Sequence, residues 1–237
     1  DLLISAGPLI NLSLSAVIAI IALSFLLYLF FQEPENTVTR IYSLLLIFQA
    51  MDAANVDLKA FTEDFYHQLT GGHLQPVLDT LEYLVHETDV WVELTTLLIP
   101  GENDSPGEIE AMTQWVVDTL GPDVPMHFTA FHPDWKMLDR PPTPAATLTR
   151  AREIAMRNGV RYAYTGNVID QKGGSTYCHA CGQLLVGRAQ YLLTQWNLTG
   201  NGCCTKCGTA CPGVFEAEPG TWGARRLPVR LQDYAPT

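Results

Sequence analysis

The feature that most constrains the fold is a regular alternation of strand-like and helix-like segments between Met51 and Thr165. Short apolar runs alternate with stretches whose apolar residues recur every three or four positions, which is the spacing of one helix face. Strands and helices in this order pair as a parallel sheet, because each helix carries the chain back across it. Four strands are too few to close an eight-stranded barrel. We therefore expect an α/β fold with an incomplete (β/α) barrel or a small open sheet.

Four strands and three helices are predicted in this region. The strands cover residues 55–61, 90–99, 125–132 and 160–165. The first helix carries an apolar stripe from Leu74 to Val85. Ser105 is the predicted N-cap of the second helix, with Pro106 at its first position and Glu108 completing a capping box. The third helix begins at residues 143–144 and ends at residues 158–159.

The first predicted strand contains two opposite charges, Asp57 and Lys59, two positions apart. In a strand these side chains share one face, with Val56 and Leu58 on the other. Opposite charges on an apolar strand are costly to bury unless they pair or hold a polar ligand. The sequence leaves both interpretations open: a structural or solvent-facing ion pair, or the wall of a ligand site.

Polar residues also follow each of the later strands. Ligands of parallel α/β folds bind at the C-terminal ends of the strands. Asn103 and Asp104 follow the second strand, His132 the third and Asn167 the fourth. A Lys, a His and an Asp around one cleft suit a zwitterionic ligand with a carboxylate and an amine. The alternative is that Asn103 belongs to a turn before a capped helix and that His132 is an ordinary loop histidine.

The charge of the chain limits its partners. The net charge is -11 and the pI is about 4.8. Binding to nucleic acid by charge requires Lys and Arg side chains that neutralise phosphates. We therefore expect no nucleic-acid partner and favour a small-molecule or protein partner.

Four cysteines form two Cys-x-x-Cys pairs near the C-terminus. The pairs are Cys178 with Cys181 and Cys204 with Cys207, and a glycine follows each pair. Two such turns place four thiolates tetrahedrally, which is how a closed structural zinc site is built. The segment between the pairs has the pattern of a hairpin. We therefore predict a zinc-ribbon-like tail with these four cysteines as metal ligands.

Other residues of the tail keep alternatives open. Cys204, Cys207 and Cys211 are spaced as C-x2-C-x3-C, which allows an iron–sulfur cluster, and a disulfide also remains open. Cys203 and Cys211 are surplus to a four-cysteine site. His179 lies inside the first pair and is expected to be exposed rather than a ligand.

The N-terminal part of the chain is apolar. Leu2 to Gln32 contains no charged residue and is long enough to span a bilayer as a helix. We predict a transmembrane segment there, and hence a membrane location if this leader is native and a cytoplasmic one otherwise. A second apolar run, 41–48, is too short to span. Because the chain starts at Asp1, we expect a fragment, organised as a leader (1–50), a partial barrel (51–170) and a cysteine tail (171–237).

A series of motifs in this chain resembles a known family. They include Asp57-Leu58-Lys59, Glu93-Leu94-Thr95-Thr96, Pro100-Gly101 with Asn103-Asp104-Ser105, His127-Phe128, His132-Pro133-Asp134, Tyr164-Thr165-Gly166-Asn167 and the cysteine tail. In this order they resemble the AmmeMemoRadiSam-system radical SAM enzymes, relatives of the pyruvate formate-lyase activating enzymes. The resemblance covers about three quarters of the chain, from Asp52 to the C-terminus.

The resemblance implies a partial barrel that binds S-adenosylmethionine (SAM) beside a [4Fe–4S] cluster and cleaves it to a 5′-deoxyadenosyl radical. Asp57, Lys59 and His132 match positions that line the SAM site in activating enzymes. Asn103 and Thr95, which lie in the matching motifs, are further cofactor-binding candidates by the same resemblance. In such enzymes the radical chemistry belongs to the cofactors, and the protein positions them.

The chain departs from this family at the cluster. The family holds its cluster with a C-x3-C-x2-C loop near the start of the barrel, whereas no cysteine precedes Cys178 here. We therefore expect that this chain alone does not make the radical. Three hypotheses follow: the C-terminal part of a radical SAM enzyme, which we favour; a membrane-tethered, non-catalytic zinc-ribbon module that binds a partner; or an iron–sulfur electron carrier. The substrate of the radical is not determined by the sequence.

Overall fold

The computed structural model describes residues 52–215 and 218–220. The apolar run from Leu2 to Gln32 and the shorter run 41–48 lie outside these residues, so the transmembrane prediction stays a prediction. Within the described ranges, no helix combines the length and apolar character needed to cross a membrane.

The main sheet has four parallel strands. They are β1 (Ala53–Asp57), β2 (Trp91–Leu98), β3 (Met126–Ala130) and β4 (Ala163–Gly166). Their order across the sheet is the order in the chain, and every neighbouring pair is parallel. Each connection therefore leads to the adjacent strand, and all four strands end at the same edge. The predicted α/β fold with a parallel sheet is confirmed.

In the described part of the chain, four helices lie between successive strands of the main sheet. They are α1 (Glu63–Phe65), α2 (Leu74–Glu87), α3 (Pro106–Trp115) and α4 (Ala145–Arg157). The chain continues α1 and α3 with π-helical segments, Tyr66–Thr70 and Val116–Leu120. The predicted N-cap of α3 is confirmed, since the Ser105 hydroxyl accepts a hydrogen bond of 3.2 Å from the backbone N–H of Glu108.

The two faces of the sheet differ. Along β2 buried residues alternate with half-exposed ones. The buried face includes Leu94 and Thr96, and the Thr96 hydroxyl lies 3.6 Å from the sulfur of Met112 in α3. The opposite face carries Trp91, Glu93, Thr95 and Leu97, all half-exposed. We call this second surface the polar face of the sheet.

A second, antiparallel sheet carries the cysteine tail. Its strands are β5 (Thr176–Tyr177), β6 (Leu184–Ala189) and β7 (Leu192–Trp196), in the order β5-β6-β7. The pairing of β6 with β7 confirms the predicted hairpin. Its core includes Tyr162, which immediately precedes β4, together with Leu185, Leu198 and three of the cysteines. The cysteine tail therefore packs against the end of the main sheet that leads into β4.

The predicted strand 55–61 is wrong at its C-terminal end, because β1 stops at Asp57. Beyond that point the backbone N–H groups of Lys59 and Phe61 are bound by side chains, the Tyr66 hydroxyl at 3.1 Å and the Glu108 carboxylate at 2.7 Å. Lys59 therefore lies in a loop, and it does not share a strand face with Asp57. The third strand also ends early, since the Phe131 N–H donates to the Thr143 hydroxyl at 2.9 Å.

Candidate functional site

Asn103 holds the loop that follows β1. It is fully buried, and its Nδ2 donates to the carbonyls of Lys59 at 2.6 Å and Leu97 at 2.9 Å. Its Oδ1 accepts from the N–H of Ile99 at 2.7 Å. These three bonds use both donors of the amide and join the ends of β1 and β2. Asn103 therefore shapes the loop that carries Lys59, and its role as a cofactor-binding residue stays a prediction.

Three more side chains fix the same loop. The Thr96 hydroxyl donates to the carbonyl of Leu58 at 2.8 Å. Tyr66 and Glu108 accept the two N–H groups described above, and burial raises the pKa of both side chains. Glu108 was predicted to close a capping box on Ser105, but its carboxylate binds the N–H of Phe61 instead. Residues 58–61 are thus held by four side chains from separate segments of the chain.

Asp57 and Lys59 form an ion pair at the C-terminal edge of the sheet. Lys59 Nζ lies 2.7 Å from Asp57 Oδ2, and the two side chains are 55% and 45% exposed for Asp57 and Lys59 respectively. A pair this exposed is worth only about 0–1 kcal/mol, because water screens it. A ligand that carries both charges can therefore replace each partner at small cost.

His132 lies beyond β3 at the same edge. Its side chain is 77% exposed, and Nδ1 is 3.6 Å from Asp134 Oδ2. Since β2 lies between β1 and β3, two strand spacings, about 10 Å, separate the ends of those strands. The structure places His132 at the predicted edge but does not bring it into contact with the Asp57–Lys59 pair.

A row of polar side chains crosses the polar face of the sheet. Asp57 is in register with Thr95, Thr95 with His127, and His127 with Tyr164. Residues in register on parallel strands point to the same face, one strand spacing apart. The Thr95 hydroxyl donates to Asn55 Oδ1 at 2.8 Å. Thr95, a predicted cofactor-binding residue, therefore lies directly between Asp57 and His127.

Glu93 and His127 form a hydrogen-bonded pair on this face. His127 Nε2 lies 2.7 Å from Glu93 Oε2, and the indole N–H of Trp91 donates to Glu93 Oε1 at 3.2 Å. The His127 hydrogen bond lowers the pKa of Glu93 and outweighs burial, which acts to raise it. Tyr164 stacks on the imidazole, with ring centroids 5.0 Å apart and planes at 23°.

Glu93 and His127 lie in predicted strands and in segments that resemble the family, but neither was predicted as a site residue. A signal was available in β2, where Glu93 and Thr95 alternate with the apolar residues Val92 and Leu94. That alternation is typical of a strand with one polar face.

The two Cys-x-x-Cys pairs adopt the same turn. The N–H of Gly182 donates to the carbonyl of Cys178 at 2.9 Å, and the N–H of Gly208 donates to the carbonyl of Cys204 at 2.9 Å. Both glycines have left-handed backbone conformations, with φ of 70° for Gly182 and 75° for Gly208. Glycine adopts this conformation without the steric penalty of a side chain. The glycine after each pair is therefore part of the geometry of the turn.

The four sulfurs of these turns converge. The Sγ atoms of Cys178, Cys181, Cys204 and Cys207 all lie within 4.8 Å of one another. Cys178 and Cys207 are 3.6 Å apart, and Cys181 and Cys204 are 3.8 Å apart. Tetrahedral zinc with bonds of about 2.3 Å requires sulfurs about 3.8 Å apart. The group fits one tetrahedral metal ion.

The same distances argue against the other interpretations of these cysteines. In a [4Fe–4S] cluster each cysteine binds a different iron, so the sulfurs must lie farther apart than around one ion. All six cysteines are free, which makes the disulfide alternative wrong for this structure. Cys203 and Cys211 do not belong to the group of four. The exposed His179 also stays outside it, with its Nδ1 2.9 Å from the Tyr162 hydroxyl.

Hydrogen bonds and neighbouring sulfurs shift the pKa of two of these thiols, Cys181 and Cys207. The hydroxyl and the backbone N–H of Thr209 lower the pKa of Cys207 to about 6. The N–H of Gln183 acts in the same direction on Cys181, but burial and the adjacent sulfurs outweigh it and raise the pKa of Cys181 to about 12. A bound cation favours the thiolate form of every ligand. The four cysteines could therefore hold a metal ion as thiolates.

Comparison with known proteins yields one curated relative of note. No protein-family model matches the chain. An uncharacterized protein of Methanocaldococcus jannaschii is 43% identical over 138 residues, which make up 58% of this chain and 41% of that protein. The chain thus spans about two fifths of the length of this relative.

Two solved structures align with part of the chain. A domain of a pyruvate-formate lyase-activating enzyme from Bacteroides vulgatus aligns with a TM-score of 0.47 and 12% identity, over 53% of this chain and 74% of that one. A radical SAM methyltransferase from Sphaerobacter thermophilus aligns with a TM-score of 0.41 and 19% identity, over 57% of this chain and 38% of that one. At these TM-scores and identities, neither similarity decides the family or the function of the chain.

Proposed function

We propose that this chain is the SAM-binding part of a radical SAM-type enzyme and carries a structural zinc site in its cysteine tail. Residues 51–170 would form the SAM-binding part and residues 171–237 the metal-binding tail. The observation that carries the proposal is the exposed Asp57–Lys59 pair at the C-terminal edge of a parallel sheet. The motifs that resemble activating enzymes support the choice of ligand.

The chemistry of the edge matches the amino-acid end of SAM. Lys59 offers an ammonium group to the ligand carboxylate, and Asp57 offers a carboxylate to the ligand amine. Because the two side chains pair weakly with each other, exchanging partners costs little. The four hydrogen bonds that hold residues 58–61 keep the Lys59 backbone fixed, which lowers the entropy lost on binding. Thr95 lies beside Asp57, and His132 completes the edge on the far side of β2.

The proposal covers the binding of SAM and no radical step. In the enzymes that this chain resembles, a [4Fe–4S] cluster supplies the electron that cleaves SAM. The cysteines of this chain do not fit such a cluster, because four sulfurs within 4.8 Å of one another suit a single ion. A [4Fe–4S] cluster in the cysteine tail is for the same reason not proposed. Whether a protein substrate accompanies SAM is left open by these residues.

The zinc site is proposed on the sulfur geometry. Four cysteine ligands close the coordination sphere, so the ion would stabilise the fold of the tail rather than bind a substrate. The same ligand set also accepts other tetrahedral ions, and metal analysis distinguishes them.

Replacement of Asp57 tests SAM binding directly. In Asp57→Asn the carboxylate that pairs with the ligand amine becomes a neutral amide of the same shape. We expect the affinity of the full chain for SAM, measured by isothermal titration calorimetry, to fall about tenfold or more, since a hydrogen bond between charged groups contributes about 1.5–3 kcal/mol. The matched control is Asp79→Asn, on the exposed side of α2, where the amide oxygen still accepts from Gln75.

Two outcomes would contradict the proposal. One is that the wild-type chain shows no SAM binding by calorimetry at millimolar ligand. The other is that Asp57→Asn binds SAM as tightly as Asp79→Asn, which would place the ligand elsewhere on the molecule.

A further inference from the structure

We infer that His127, held by Glu93, is a further binding residue for the adenosine part of SAM. The inference rests on the proposed function and extends it from the edge of the sheet onto its polar face. His127 would accept a hydrogen bond from an N–H or O–H group of the ligand, and Glu93 would position the imidazole for that contact.

The Glu93 carboxylate determines which nitrogen of His127 is available. A carboxylate only accepts hydrogen bonds, so the short contact to Nε2 places the imidazole proton on that atom. The neutral ring then has its lone pair on Nδ1. Within the described ranges no side chain or backbone group hydrogen-bonds to Nδ1. The pair therefore presents an oriented acceptor.

The surroundings keep this acceptor in place and accessible. Trp91 holds the second oxygen of Glu93, and Tyr164 covers one face of the imidazole. The side chains of His127 and Glu93 nevertheless remain 29% and 36% exposed. Part of the imidazole is therefore open to solvent on the polar face.

The position of the Glu93–His127 pair does not favour the stability of the fold. β2 and β3 are the central strands of a parallel sheet, where apolar side chains are usual. Partial burial of a Glu–His pair carries a desolvation cost that apolar residues at the same positions would avoid. A contact with a polar ligand accounts for both polar residues at these positions.

The spacing of the row fits a ligand with two different ends. His127 lies two strands from Asp57, about 10 Å away across the polar face, with Thr95 between them. SAM carries its charged amino-acid group at one end and its adenosine group at the other. With the amino-acid group on Asp57 and Lys59, an extended SAM molecule along the row places its adenosine group at His127.

Two ligands separate the two ends of the site. The probes are SAM and 5′-methylthioadenosine, which keeps the adenosine group and lacks the amino-acid group. His127→Phe keeps an aromatic ring for Tyr164 to stack on but has no acceptor. We expect this variant of the full chain to bind both probes about tenfold more weakly than wild type. Asp57→Asn is expected to weaken SAM alone.

Variants of Glu93 test its positioning role. Glu93→Ala releases the imidazole and is expected to weaken both probes about three- to tenfold. Glu93→Gln retains an oxygen that accepts from Nε2 and is expected to restore most of the affinity. Nitrogen NMR measures the fraction of His127 rings that carry the proton on Nε2. We expect Glu93→Ala to lower this fraction and Glu93→Gln to restore it, whereas a purely structural role of Glu93 would leave it unchanged.

The wild-type chain provides a measurement that needs no variant. Addition of 5′-methylthioadenosine is expected to shift the Nδ1 resonance of His127, and an unchanged resonance at saturating probe overturns the inference. The inference is also overturned if His127→Phe binds both probes as tightly as wild type while Asp57→Asn still binds SAM more weakly. That outcome leaves the proposed function intact. If wild type binds neither probe, the proposed function fails and the inference with it.

Discussion

Glu108 shows how one residue can serve two elements. Its backbone N–H binds the N-cap of α3, while its carboxylate accepts from Phe61 in the loop after β1. Burial raises the pKa of this carboxyl, and the charge of Asp104 adds to the effect. The hydrogen bond from Phe61 acts in the opposite direction but is outweighed. Burial and the charge of Asp104 therefore disfavour the charged form of the carboxylate that holds the Lys59 loop.

Removal of this acceptor is expected to destabilise the chain. In Glu108→Ala the N–H of Phe61 loses its partner in a half-buried place, whereas Glu108→Gln keeps an accepting oxygen. We expect Glu108→Ala to be less stable than Glu108→Gln by about 1–2 kcal/mol in the free energy of unfolding at pH 7. Urea denaturation measures this difference. Equal stabilities would show that the Glu108–Phe61 bond does not hold the loop.

The same carboxylate gives a pH dependence with a definite sign. The unfolded chain releases the Glu108 proton near the ordinary pKa of 4.5, and the folded chain releases it at higher pH. Between these values the folded state binds more protons, so the free energy of unfolding falls as pH rises. Relative to Glu108→Gln, wild type is therefore expected to lose stability from about pH 4.5 upward. A constant difference between the two over this range would contradict the raised pKa.

At the scale of elements, the sequence predicted the type and order of the structure better than its ends. Alternation along β2 and the apolar stripes of α2, α3 and α4 come from burial, which sequence periodicity reports directly. The ends of β1 and β3 depend on hydrogen bonds from Tyr66, Glu108 and Thr143, which are distant in the chain. No local pattern contains that information, so both strands were predicted too long.

The sequence also predicted some parts of the candidate site and missed others. The cysteine pairs were predictable because the ligands and their glycines lie within a few residues of one another. The Glu93–His127 pair and the structural bonds of Asn103 were not, since they join residues from different strands or from a strand and a loop. The register of the sheet, which creates the row from Asp57 to Tyr164, appears only in three dimensions.

The turn of each cysteine pair depends on its glycine. Gly208 has φ of 75° and open space around the position of an added Cβ. The strain in Gly208→Ala is therefore a backbone effect of about 1–2 kcal/mol. We expect zinc affinity to fall about tenfold, measured by competition with a chromophoric chelator. Gly208→Asn is expected to lose less, because Asn tolerates the left-handed region better.

Gly107 supplies the matched control for this substitution. It lies in the first turn of α3, also with open space at the Cβ position, but without a positive φ. Gly107→Ala is expected to leave zinc affinity unchanged and to stabilise α3 slightly, since alanine favours a helix over glycine. If Gly208→Ala loses no more zinc affinity than Gly107→Ala, the conformation of Gly208 is not required for metal binding.

At the scale of the whole molecule, the cysteine tail and the main sheet share apolar contacts. Tyr162, next to β4, is buried with Cys178, Leu185 and Cys204 in one cluster. Arg188 of β6 lies over the ring of Tyr164, and the Tyr164 hydroxyl is 2.9 Å from Thr176 in β5. Tyr164, at one end of the row on the polar face, therefore contacts residues of the second sheet.

Metal analysis tests the zinc proposal. Anaerobically purified protein is expected to contain about one zinc ion per chain, without iron or acid-labile sulfide. Single substitutions of Cys178, Cys181, Cys204 or Cys207 by Ser are expected to abolish stoichiometric zinc, whereas Cys203→Ser, outside the group, retains it. Iron and sulfide in comparable amounts would instead establish a cluster and overturn the zinc assignment.

Chelation then shows what the ion stabilises. Because a closed four-cysteine site contributes its binding energy to folding, zinc removal is expected to abolish hydrogen-exchange protection in β5, β6 and β7. The amides of β2 and β3 should stay protected, since their core contains buried residues such as Leu94, Phe128 and Ile109, which do not belong to the apolar cluster of the cysteines. If the whole chain loses protection together, the tail is part of one cooperative fold, and the ion would then also be required for the SAM site.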